Sequence, residues 1–184
     1  MTIAWDFIGT LEGESVLTGY VPDAANSQSG VTVATGVDLG QIDAAKLAGL
    51  AVPPGLKKRL GPYLGLKQHA AAAVLVAQPL TITAAESDQL DQAIRAPIVA
   101  ALQAAYAKAA GVAFDTLPDA VQTVLASVAF QYGPALATRT PSFWKHAVDQ
   151  DWPALRHELE NFDDRYPTRR HKEAAYLATS GTTA

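Results

Sequence analysis

The sequence predicts an α+β protein with a helical majority: a short N-terminal helix, one small β-hairpin, and a mostly helical remainder. Three observations carry this expectation. Apolar residues recur at helical spacing over most of the chain from residue 41 onward. A single stretch, residues 31–39, alternates with a period of two. The 184 residues, 49% of them hydrophobic and 17% charged, are enough for one domain with a real core, which argues against disorder.

In the N-terminal segment, Ile3, Phe7 and Leu11, with Trp5 and Ile8, have helical spacing, and Gly13 is a stop signal. Residues 18–30 are rich in Gly, Pro, Asn and Ser and read as a loop. Val31, Val33, Thr35, Val37 and Leu39 then alternate with Thr32, Ala34, Gly36 and Asp38, the one convincing β region. Helices are expected at 41–51, closed by Pro53-Pro54-Gly55, and at 66–76. Thr83-Ala84-Ala85-Glu86 has the form of a capping box, and the helix after it meets a kink or break at Pro97. The nearly all-apolar 119–132 should be the buried central helix. Further helices are expected at 142–148, 152–161 and 168–178, the last with Thr168 as its N-cap.

Composition narrows the function. With no cysteine, disulfide scaffolds, Cys-ligated zinc, iron–sulfur clusters and thiol catalysis all drop out. A formal charge of −4 makes nucleic acid and anionic membranes poor partners. No apolar run is long enough to span a bilayer, and the N-terminus has neither a basic leader nor an apolar core, so no signal peptide is expected. His69, His146, His157 and His171 are scattered without metal-ligand spacing, and no metal or organic cofactor is implied. Trp144, Trp152 and Tyr132 read as core.

Three groups of residues could do chemistry. Glu12 continues the row Trp5, Ile8, Glu12, so it sits on or beside the apolar face, where desolvation would favour a protonated carboxyl. A solvated glutamate at a fraying helix end fits the pattern as well. Thr32 and Asp38 lie on the polar face of the alternating stretch, and a turn at Ala34-Thr35-Gly36 would bring them together on adjacent strands. The plain reading of that pattern is a solvent-facing hairpin. In the basic segment 165–172, Arg169 and Arg170 fall in a helix's first turn and need an anionic partner there, such as Glu173 or a ligand.

The order Glu12-Gly13, a loop, then Gly30-Val31-Thr32-Val33-Ala34-Thr35-Gly36-Val37-Asp38-Leu39-Gly40 resembles the active-site lobe of the T4-type phage lysozyme family. Within it the hairpin is similar to that of the pesticin-like muramidase domains of bacteriocins. Phe130-Gln131-Tyr132-Gly133, Asp151-Trp152, Pro167-Thr168-Arg169 and the run from Arg139-Thr140-Pro141 to Glu173 agree in order. The resemblance implies a T4-lysozyme-like fold with a hairpin lobe (1–60), a helical lobe (61–184) on which the first helix packs, and the cleft between.

It also implies a glycoside hydrolase, specifically a muramidase cleaving the β-1,4 bond between N-acetylmuramic acid and N-acetylglucosamine in peptidoglycan, by inversion. By the same resemblance Glu12 is the general acid, and Thr32 with Asp38 handles the attacking water. Asp23 is the rival for the second carboxylate. Arg169 pairs with Glu12, with Arg170 as its rival, and Gln131 joins the substrate site. Bacterial peptidoglycan is the expected partner, with an immunity protein if the protein is an effector, and a monomer is expected. An endolysin or a delivered bacteriocin or effector domain would act on the wall after export by other machinery. The alternative is a non-catalytic peptidoglycan-binding module on the same fold.

Overall fold

The computed structural model describes residues 3–13 and 15–179. Helix α1 (Trp5–Glu12) leads into an antiparallel sheet of β1 (Val16–Tyr20), β2 (Thr32–Ala34) and β3 (Val37–Asp38), in that order. Then follow α2 (Ala44–Gly49), α3 (Pro54–Leu60), α4 (Gln68–Ala77) and α5 (Ala84–Ala110). Helices α6 (Asp119–Tyr132), α7 (Leu136–Arg139), α8 (Pro141–Val148), α9 (Trp152–Glu160) and α10 (Pro167–Ala178) complete the chain. This is the mostly helical α+β architecture with one small antiparallel sheet that the sequence predicts. Among the described residues no helix is long and apolar enough to cross a membrane.

The chain divides into two compact units, Met1–Leu11 with Pro97–Ala184, and Glu12–Ala96. In the first, α6 is the hub, and all its residues from Ala120 to Ala129 are buried. Ile8 of α1, Leu102 and Tyr106 of α5, Phe143 of α8, Leu155 and Leu159 of α9 and Leu177 of α10 belong to the same core. The Tyr106 hydroxyl, buried in it, donates to Ala147 O at 3.0 Å.

The second unit has its own core, in which Val31, Val33 and Leu39 meet Leu47, Leu56, Leu60, Leu80 and Leu90. It runs to Ala96, past residue 60 where the sequence set the lobe boundary, because Tyr63, Ala71, Leu80, Ile82 and Leu90 all bury into this core.

Several elements differ from the sequence-based expectation. Residues 16–20, partly assigned to a loop, form β1, which pairs with β2 through a bulge. The segment is half exposed and does not alternate cleanly, so its pattern was silent. Pro54 begins α3 rather than closing a helix, since a proline at the first helical position sacrifices no intrahelical hydrogen bond. For the same reason α10 starts at Pro167 with Tyr166, not Thr168, as its N-cap. In place of one helix over 41–51, a 3-10 turn, Leu39–Gln41, ends at Gln41 and α2 occupies only Ala44–Gly49. Helix α5 continues through Pro97 without a break, with Val99 and Leu102 buried just beyond it. The capping box forms as expected: Thr83 N donates to Glu86 Oε2 at 3.0 Å and Glu86 N to Thr83 Oγ1 at 3.2 Å.

Candidate active site

The hairpin positions two of the candidate residues. Antiparallel β2 and β3 pair Val33 with Val37 and Thr32 with Asp38, so the threonine and the aspartate stand directly opposite one another. The three-residue turn at Ala34-Thr35-Gly36 produces this register, with Gly36 at φ +79°. The turn is fastened from α5. Asp91, 6% exposed, accepts from Thr35 N at 3.2 Å and from Thr35 Oγ1 at 2.6 Å, with Arg95 3.9 Å away. Sequence reasoning missed Asp91. The stripe Ser87, Leu90, Asp91, Ile94 on one helical face was the signal that could have revealed it.

The solvent-facing hairpin of the plain reading is not what forms. Thr32 is 4% exposed, and its Oγ1 lies 3.4 Å from Gly30 O, to which it donates. Asp38 is half-buried, and its Oδ1 accepts from Gly30 N at 2.9 Å and Gly40 N at 2.8 Å. Those glycines are pressed together: a Cβ on Gly30 would lie 2.3 Å from Leu66 O and 2.6 Å from Gly40 Cα. Only glycine lets the backbones approach that closely, and the carboxylate oxygen between their amides clamps them. Among the described residues, the second oxygen of Asp38 makes no hydrogen bond. It is the one left for water or ligand.

The rival, Asp23, is exposed in the loop at φ +40°. Its carboxylate accepts from Asn26 N at 3.2 Å and from Asn26 Nδ2 at 3.0 and 3.1 Å. These bonds close a local turn.

Glu12 is the last residue of α1 and is exposed. The partial burial expected from its row is absent. Ile8, one turn earlier, is the last fully buried residue of that face, and the helix end leaves the core after it.

What holds this helix end is Arg169 of α10. Its Nη2 donates to Ser127 O at 3.2 Å and Ser127 Oγ at 3.0 Å, its Nε to Glu173 Oε1 at 3.2 Å, and its Nη1 reaches Leu11 O at 3.5 Å. A cation at the last carbonyls of a helix meets the negative end of its dipole. Arg169 therefore braces the residue that precedes Glu12.

Arg170 points elsewhere. It is 1% exposed, and its Nε donates to Asp164 Oδ2 at 2.8 Å. Its other nitrogens donate to Glu173 Oε2 and Gln131 Oε1, and the guanidinium lies 4.6 Å from the Phe162 ring centroid. Glu173, fully buried, also accepts from Ser127 Oγ. The acceptor of Gln131, expected at the substrate, is thus engaged by Arg170. Burial pushes the Asp164 carboxyl up, but Arg170, Tyr166 N and the Tyr132 hydroxyl outweigh it and hold the group below the ordinary aspartate value. Burial, together with Asp164, pushes the Tyr132 phenol up. A helix offset of one residue, about 100°, separates a brace on α1 from a core ion-pair network.

A mostly helical α+β protein with a small antiparallel sheet after a first helix that ends in glutamate has the T4-lysozyme-like fold. Residues 2–153 match the family model described as Pesticin, bacterial toxin homologue of phage lysozyme, C-terminal, and the chain belongs to this lysozyme-like family. No curated protein matches it. The match covers α1, the hairpin and Gln131 but ends before α10, so the separate settings of Arg169 and Arg170 come from the geometry alone.

Proposed function

We propose that the chain is a muramidase that cleaves the β-1,4 bond between N-acetylmuramic acid and N-acetylglucosamine in bacterial peptidoglycan. The register that faces Thr32 with Asp38, in a chain of a lysozyme-like family, is the observation that carries the proposal. Glu12 donates its proton to the glycosidic oxygen as the C1–O bond breaks. Asp38, with the Thr32 hydroxyl, orients a water on the opposite face of the sugar and takes its proton as the oxygen bonds to C1, which inverts the anomeric centre. Arg169 keeps the end of α1 in place. No residue role in this scheme calls for a metal. The family's description as bacterial toxin homologues favours an antibacterial effector or bacteriocin domain over an endolysin.

The test is release of muropeptides from purified peptidoglycan, with loss of turbidity in outer-membrane-permeabilised Gram-negative cells as its cellular counterpart. Glu12→Gln should abolish both in a protein that circular dichroism shows to be folded. Wild-type protein that leaves the wall intact refutes the proposal. Pelleting with sacculi without any release would instead identify a wall-binding module.

A further inference from the structure

A groove of about 340 Å³ runs along the start of α10 and is lined by Thr10 and Leu11 of α1. Arg165, Arg169 and Lys172 line it too, and among the described residues no acidic side chain does. Arg169 is committed to Leu11, Ser127 and Glu173. Arg165 and Lys172 are exposed and form no ion pair with any described residue. The ring of Tyr166, 51% exposed, lies on the same groove.

A chain of net charge −4 gathers three cations here and leaves two of them unneutralised. At physiological ionic strength exposed charges act only within about 8 Å, so such a cluster serves a ligand seated in the groove rather than the protein's overall field. The guanidinium fork of Arg165 suits a carboxylate, and the Lys172 ammonium suits a second one. Wall glycan is uncharged where each lactyl group is amide-linked to its peptide stem, so the carboxylates beside the scissile bond belong to the stems. We infer that this groove is an anion subsite for the carboxylates of the peptide stems. The inference rests on the muramidase proposal, because the groove begins at the residue before Glu12.

The test compares wild type with the double variant Arg165→Ala/Lys172→Ala in reducing-end release and in cosedimentation. The substrates are intact sacculi and sacculi whose carboxylates have been converted to amides with carbodiimide and ammonia. Two exposed ion pairs of ordinary strength predict a rise of about five- to tenfold in KM for the double variant on intact sacculi, with kcat unchanged. Wild type should lose a similar factor on amidated sacculi, where the double variant loses nothing more. Lys58→Ala/Lys108→Ala removes two exposed charges elsewhere and should leave KM alone.

An unchanged KM in the double variant, an equal rise in the control pair, or a wild type indifferent to amidation overturns the subsite. Persistence of the defect on strands stripped of stems by an amidase, which bares the lactyl carboxylates, overturns the assignment to stems. If wild type releases no reducing ends from any sacculi, the muramidase proposal falls, and cosedimentation across the same set still decides the groove.

Discussion

Changing Asp38 to asparagine or to alanine separates its clamp on the hairpin from its proposed chemistry. Its Oδ1 accepts from Gly30 N at 2.9 Å and Gly40 N at 2.8 Å, and both glycines are buried. Alanine removes both bonds, and at about 1.5–3 kcal/mol for each bond to a charged group the cost is roughly 3–6 kcal/mol. Asparagine keeps an oxygen in the same place and loses only the charge assistance, about 1 kcal/mol per bond and so about 2 kcal/mol in all. Against a total stability of about 5–15 kcal/mol the asparagine variant stays folded, while the alanine variant is severely weakened.

Urea denaturation followed by circular dichroism reads the stabilities, and reducing-end release from purified peptidoglycan reads turnover. Loss of a general base predicts a drop of about 10²–10⁴-fold for folded Asp38→Asn, with Asp23→Asn near wild type. Wild-type turnover by Asp38→Asn refutes the catalytic assignment. Wild-type stability of Asp38→Ala refutes the clamp.

Other perturbations probe the frame around the site. Gly30→Ala puts a Cβ 2.3 Å from Leu66 O, a backbone contact no rotamer relieves, and should cost at least about 1–3 kcal/mol by the same denaturation assay. Gly9→Ala, inside α1 with nothing within 4 Å of the added carbon, should instead gain about 0.5–1 kcal/mol. Arg170→Met removes the buried cation shared by Asp164 and Glu173, leaving Glu173 to Arg169 and Ser127 and Asp164 to Tyr132 and Tyr166 N, and should cost about 3 kcal/mol by urea denaturation; a neutral result would deny the network its role. Because the folded-state pKa of Asp164 is depressed, its stabilisation is complete above the ordinary aspartate value of 3.8 and drains away as pH falls below it. Thermal melts from pH 5 to 2 should therefore fall less steeply for Asp164→Asn than for wild type.

Local sequence was enough for the helical majority and the buried α6, and it offered the turn that faces Thr32 with Asp38 as one reading of the hairpin. All three are properties of short segments: apolar period, turn chemistry, and a glycine placed where the chain reverses. The same locality explains the failures. Strand β1 is stabilised by β2 and by the bridge from Thr18 to Thr81, neither of which marks its own residues. Burial of Thr32 required knowing what covers the hairpin's polar side, and exposure of Glu12 required knowing where the core ends along α1.

Tertiary structure alone decided between Arg169 and Arg170. Both are arginines in one helical turn, and propensity and charge treat them alike. Their difference arises because Ser127 and Leu11 lie on one side of α10, while Asp164, Gln131 and Phe162 lie on the other. A sequence records which groups can bind a cation. Only packing records which of them comes within reach.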